Sequence, residues 1–109
     1  MLVMIDPDDT GNFPQDIGRR LRLTRRALGY EDRQQSAFAA DSGVAQSHYN
    51  RFETGERTLT LAIAMKLCHR WGLTLDWLYR GDPSGLQYKL ANDIKSLRKT
   101  DRKLEHNKN

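Results

Sequence analysis

Apolar and polar positions recur at helical spacing from Ile17 onward. Ile17, Leu21, Thr24, Arg25 and Leu28 share one face at i, i+4, i+7, i+8 and i+11, and Gly29 offers a left-handed stop. After the polar connector "YEDR", a second helix is predicted from about Gln34 to Ser42, with Phe38, Ala39 and Ala37 inward. Gly43 and Val44 turn the chain into a third helix over residues 46–54, closed by Gly55. Thr60 can cap a fourth helix reaching Trp71, its inward face read as Leu61, Ala64, Met65, Cys68 and Trp71, with Gly72 as the stop. Thr74 can cap a short fifth helix that carries Asp76 in its first turn, where the helix dipole favours an anion, and ends at Gly81. Pro83 enforces that break. Ser84 and Gln87 then read as a capping box for a last helix over about 85–104, striped by Leu86, Leu90, Ile94 and Leu97. The opening "MLVMIDPDDTGNFPQD" shows no period and is expected to be a loose arm, though Leu2, Val3 and Ile5 could dock. No strand pattern occurs. The predicted fold is all-α, five short helices and a longer sixth.

Residues 35–54 form one unit within this series. Two helices joined by a three-residue turn must cross steeply to share a core. Ala39 is small where the backbones approach, and Gly43 can take the positive φ that a β-carbon would penalise by about 1–2 kcal/mol. Val44, Tyr49 and Phe52 supply the inner bulk. Such a pair is a helix-turn-helix, whose second helix can enter a DNA major groove. That helix turns Gln46, Ser47, His48, Asn50 and Arg51 mostly outward.

Charge sharpens the picture. The net charge of +4 is modest, but residues 17–28 hold Arg19, Arg20, Arg22, Arg25 and Arg26 with no acid. Residues 1–16 hold Asp6, Asp8, Asp9 and Asp16 with no base. The tail from Leu86 has seven Lys or Arg against three acids. Basic faces suit a polyanion, and solvated helix surfaces account for them equally well. At 109 residues the chain allows one domain and a tail. It has no apolar run near the ~18 residues of a membrane span and no signal-peptide pattern. Cys68 is the only cysteine, which fits a reducing cytoplasm. His48, His69 and His106 are scattered without metal-ligand spacing, and no phosphate-cradling glycine loop occurs, so neither a metal, a cofactor nor an enzyme is expected.

The segments "IGRRLRLTRRALG", "QQSAFAADSGV", "AQSHYNRFETGER" and "TLAIAMKLCHRWGLTLDWLYRG" resemble the Cro and phage-repressor (xenobiotic-response-element) helix-turn-helix family from about Ile17 to Gly81. The resemblance implies a five-helix, lambda-repressor-like domain that binds double-stranded DNA, here at residues 16–82, after an acidic arm at 1–15 and before a helical tail at 84–109. By position, Gln35 matches the family glutamine that braces a phosphate, and His48 and Arg57 match backbone contacts. Gln46, Ser47, Asn50 and Arg51 fall where base edges are read, and Arg25 and Glu53 match a salt bridge between helices 1 and 3. Three departures stand out: Ala45 replaces the usual Ser or Thr cap, "YEDRQ" lengthens the first connector, and Ser42 replaces an apolar residue.

Chemistry bears on those roles independently. A glutamine amide pairs with adenine N6 and N7, and a guanidinium with guanine O6 and N7. Gln46 and Arg51 are therefore the expected main readers, while Ser47 and Asn50 could meet base or phosphate. Tyr49, Trp71 and Trp77 are expected in the core, Cys68 as a small buried residue, and the helix 1 arginines in solvent except Arg25, which needs a partner. The tail leaves three arrangements open: packing on its own domain, pairing with a second subunit, or lying along DNA, with pairing favoured. The expected function is a cytoplasmic transcriptional repressor, homodimeric on a palindromic operator. The alternative is an antitoxin-like module whose segment 86–104 grips a protein partner.

Overall fold

A computed structural model describes residues 11–106, and the expected arm of Leu2, Val3, Ile5, Asp6, Asp8 and Asp9 lies outside them. Among the described residues there are only helices and turns: α1 (Pro14–Ala27), α2 (Gln35–Asp41), α3 (Gln46–Thr54), α4 (Leu61–Trp71), one wide π-helical turn at Asp76–Arg80, and α5 (Tyr88–His106). A single 3-10 turn, Asp32–Gln34, takes up the long connector before α2.

α1 starts three residues before the periodic face. Pro14 stands at its first turn, where a missing N–H costs nothing, and Asp16 Oδ2 accepts from the Phe13 N–H at 3.2 Å. Pro14 and Gln15, expected in the arm, are therefore helical. At the other end Tyr30 N–H donates to the Arg25 carbonyl at 3.1 Å across Gly29, whose φ is 98°.

The core gathers Ile17 and Leu21 from α1, Phe38 and Ala39 from α2, Tyr49 and Phe52 from α3, Ala64 and Leu67 from α4, and Trp77 and Leu78 from the π-turn. α1 packs most extensively on α3. The approach is so close that a β-carbon on Gly18 would stand 2.3 Å from the Glu53 carbonyl oxygen and 2.7 Å from that of Phe52. Trp77 is fully enclosed. Its Nε1 donates to Thr24 Oγ1 at 2.9 Å, and that hydroxyl donates on to the Arg20 carbonyl at 2.7 Å.

Four expectations are corrected, the first being that Ala37, read as inward on α2, is exposed. Arg20 is not in solvent: it is 0% exposed, and its Nε donates to the Leu78 carbonyl at 3.1 Å, serving a backbone oxygen of the π-turn. On α4, Leu61 and Met65 are 57% and 58% exposed, while Ala64 and Leu67 are buried and Cys68 and Trp71 half-buried. At about 100° per residue, Met65 lies well round the helix from a face centred on Ala64 and Trp71. The apolar character of Leu61 and Met65 does not outweigh that geometry. The Ser84–Gln87 capping box is also absent. Ser84 N–H donates to Asp82 Oδ1 at 3.0 Å and Leu86 N–H to the Pro83 carbonyl at 3.0 Å, so this stretch is a turn and α5 starts at Tyr88.

Of the tail's three arrangements, the structure shows the first. Leu86, Leu90 and Ile94 are buried in the domain's own core, and α5 packs along α1 with Arg26 Nη1 on Asp101 Oδ2 at 3.0 Å.

Gly18 and Gly43 separate two physical causes. Gly18→Ala forces backbone apart in a packed interface and is expected to destabilise by about 3 kcal/mol. Gly43→Ala has open space around its β-carbon but a φ of 75°, and should cost only about 1–2 kcal/mol. Urea midpoints for the two variants check the order.

Candidate nucleic-acid interface

α2 and α3 are joined through Ser42, Gly43, Val44 and Ala45. Val44 N–H donates to the Ala39 carbonyl at 2.9 Å and Gly43 N–H to that of Ala40 at 3.1 Å, closing the end of α2. Two cations one turn apart on α4 finish the corner: Lys66 Nζ donates to the Gly43 carbonyl and Arg70 Nε to that of Asp41, both at 3.3 Å. The Arg70 guanidinium also lies 4.0 Å over the Trp71 ring. Ser42 now has a reason to be polar. Its hydroxyl donates to the Phe38 carbonyl at 2.7 Å and accepts from Trp71 Nε1 at 2.8 Å. Trp71 in turn stacks on Phe38, which meets Tyr30 and Tyr49 edge-on.

α3 is held from behind by Arg25. This guanidinium is 2% exposed and donates from Nε and Nη2 to Glu53 at 2.8 and 3.1 Å, from Nη2 to Asp32 at 2.9 Å, and from Nη1 to the Tyr30 carbonyl at 2.9 Å. Burial alone would lower its pKa, but hydrogen bonds with Glu53 and then Asp32 raise it above the ordinary arginine value. The buried Tyr49 phenol is pushed up by burial first and the Glu53 carboxylate second. Hydrogen bonds from Arg25 and then Arg22 hold the Asp32 carboxyl down at about 2.

With Tyr49, Phe52 and Glu53 turned inward, Gln46, Ser47, His48 and Asn50 are exposed and Arg51 is half-exposed. Gln46 Nε2 donates to Gln35 Oε1 at 3.2 Å, so the first residues of α2 and α3 meet side chain to side chain. That leaves Gln46 its carbonyl oxygen and a second N–H, the pair an adenine edge needs. Arg51 Nε faces Glu56 Oε2 at 3.9 Å. Arg57 is exposed, and its backbone N–H returns to the Arg51 carbonyl at 3.2 Å. His48 and Arg57 line one open groove of about 420 Å3 with Phe52, Thr58, Thr60 and Ile63. The contacts thus form two groups: Gln35 with Gln46 at the start of α3, and Arg51, Arg57 and His48, joined by a backbone hydrogen bond and a shared groove, further along it. Lys66, Arg70 and Glu56 escaped the sequence reading. The i, i+4 spacing of Lys66 and Arg70 was the available signal.

Two short helices joined by a tight turn, the second with amide, hydroxyl and guanidinium side chains outward, form a helix-turn-helix. Residues 31–78 match the HTH_3 helix-turn-helix family, and the chain carries a domain of this Cro/C1 type, lambda-repressor-like in fold with an added C-terminal helix. The match starts after α1, so Arg25 and Gly18 lie outside it. The family is a DNA-binding one and not enzymatic. Searches of curated proteins and of solved structures returned no match. Among the described residues, no helix is long and apolar enough to cross a membrane, and no group of three or more His, Cys, Asp or Glu could hold a metal ion.

Two outcomes follow from this geometry. Ala45 has the extended backbone of an N-cap (φ −62°, ψ 133°) but no side-chain cap, so Ala45→Ser is expected to stabilise the fold by about 1 kcal/mol in thermal unfolding. Asp32 ionises more readily folded than unfolded, so its contribution is present above about pH 4 and lost as pH falls through about 2. With its side chain 64% exposed, solvent screening keeps that contribution to about 1 kcal/mol or less. The stability gap between the protein and Asp32→Asn should be flat above about pH 4 and close as pH falls through about 2.

Proposed function

We propose that this protein is a sequence-specific transcriptional repressor that reads the major groove of double-stranded DNA with α3, working in the cytoplasm as a homodimer on a palindromic operator. The supporting observation is the division of α3 into two faces. Tyr49, Phe52 and Glu53 are locked inward, while Gln46, Ser47, Asn50 and Arg51 stand outward with Gln46 steadied by Gln35. Gln46 and Arg51 read base edges, Ser47 and Asn50 meet base or phosphate, and Gln35, His48 and Arg57 hold phosphates. Repression is by occupancy of the duplex.

The partner-gripping alternative needs the apolar stripe of 86–104, and Leu86, Leu90 and Ile94 are already engaged inside the domain. The same fact moves subunit pairing away from that stripe. Leu61 and Met65, one turn apart on α4, are among the exposed apolar side chains that a second copy could cover, with Phe13, Leu75, Tyr88 and Leu104 the others among the described residues.

Selection from a randomised duplex library, followed by binding of the winner across salt concentration, tests this reading. A palindromic winner and a steep salt slope are expected. Arg51→Ala should abolish preference at one base pair per half-site, a loss of about 1–3 kcal/mol in discrimination. Arg57→Ala should weaken all duplexes alike and lessen the salt slope by about one for each lost phosphate contact. Weak binding that ignores sequence in every variant overturns the proposal.

A further inference from the structure

The loop after α3 folds back on the helix it leaves. Gly55 takes a φ of 81°, Arg57 N–H donates to the Arg51 carbonyl at 3.2 Å, and Thr54 Oγ1 donates to the same carbonyl at 3.2 Å. Glu56 N–H donates to Thr54 Oγ1 at 3.4 Å. Thr54 and Arg57 are thereby pinned to one helical carbonyl and Glu56 is tied to it through Thr54, which brings the Glu56 carboxylate to 3.9 Å from Arg51 Nε. Both side chains keep solvent contact, with Glu56 65% exposed.

An acid is out of place on a surface that meets phosphates, since it weakens binding to every duplex. Its position relative to the guanidinium supplies a reason. A carboxylate at Nε occupies the side of the guanidinium and leaves the two terminal nitrogens directed along the side chain, the end-on fork that meets guanine O6 and N7.

We propose that Glu56 is a positioning residue for base reading: it holds Arg51 end-on for a guanine and gives up general affinity for discrimination at that one base pair. The inference rests on the reading of α3 as the recognition helix and deepens it by naming the residue that sets how strictly Arg51 selects. Arg51 and Gln46 then work in the same way, each steadied by a neighbour from outside its own helix, Glu56 for one and Gln35 for the other. A guanidinium without such a brace samples phosphate oxygens as readily as base edges.

The experiment uses the full chain and the duplex chosen by library selection, together with duplexes substituted at each base pair in turn. Affinities are measured for the protein, Glu56→Gln, Arg51→Ala and the double variant, with thermal unfolding to show that each is folded. Glu56→Gln is expected to bind every duplex more tightly, because one negative charge is removed. At the base pair that Arg51→Ala identifies, its preference should fall by about two- to fivefold, the range of a solvent-exposed ion pair, while preferences elsewhere stay as they were. In the Arg51→Ala background the same change should leave that preference unaltered. If Glu56→Gln tightens all duplexes by one common factor, or lowers preference equally without Arg51, the brace is overturned while the DNA reading stands. If it changes preference at a different base pair, Glu56 is itself a base contact and the brace is likewise overturned. If Arg51→Ala leaves every preference intact, the assignment of Arg51 as reader falls, and the brace with it.

Discussion

One buried cation organises this domain. Arg25 sits at 2% exposure, where an unpaired guanidinium would be ruinous, and it is satisfied from three directions by Glu53, Asp32 and the Tyr30 carbonyl. Each acceptor lies on a different piece of chain: α3, the turn before α2, and the exit from α1. Withdrawing one partner from such a group costs about 3–5 kcal/mol, because the remaining charge stays buried. The arrangement gains little stability over an apolar one and acts instead as a constraint on geometry. Glu53 can meet Arg25 in one rotation of α3 only, and in a rigid helix that rotation sets the outward direction of residues 46, 47, 50 and 51. Gly18 completes the constraint by letting the α1 and α3 backbones touch.

The connector between α1 and α2 makes sense on the same terms. Read by itself, "YEDRQ" is an over-long loop that casts doubt on where Gln35 points. In the fold its extra length is wound into one turn that delivers Asp32 to Arg25 and Arg22. Gln35 is left at the head of α2, beside Gln46. Length that would loosen a bare connector becomes a third tether on the buried cation.

What was legible beforehand was local. The bounds of α3, the stops at Gly29, Gly55, Gly72 and Gly81, and the caps at Thr60 and Thr74 all depend on residues within a turn of one another. The failures were of longer range. Arg20 looks like its solvated neighbours until the π-turn brings the Leu78 carbonyl against it. Leu61 and Met65 look like core until Leu67, on the other side of Ala64, is found filling the space. Ser84 and Gln87 have the spacing of a capping box, but Asp82 takes the Ser84 N–H first and Gln87 lies against Gly72. For the interface, residue types at the right helical phase named the outward set, and nothing in one dimension could show that Gln35 and Glu56 stand beside two of its members.

Stability is distributed unevenly around α3, and the unevenness has a direction. The inward face has close packing, a satisfied ion network and enclosed aromatic contacts. The outward side lacks a side-chain cap at Ala45 and carries an acid at Glu56 that no packing requires. A serine at 45 would satisfy one free N–H of the first turn, and the same N–H groups at a helix start are suited to a phosphate. Leaving them open sacrifices about 1 kcal/mol of folding free energy that a bound duplex can return. The side proposed to face DNA is therefore the side where local stability rules are broken, which is the pattern expected of a surface shaped by a ligand and not by its own fold.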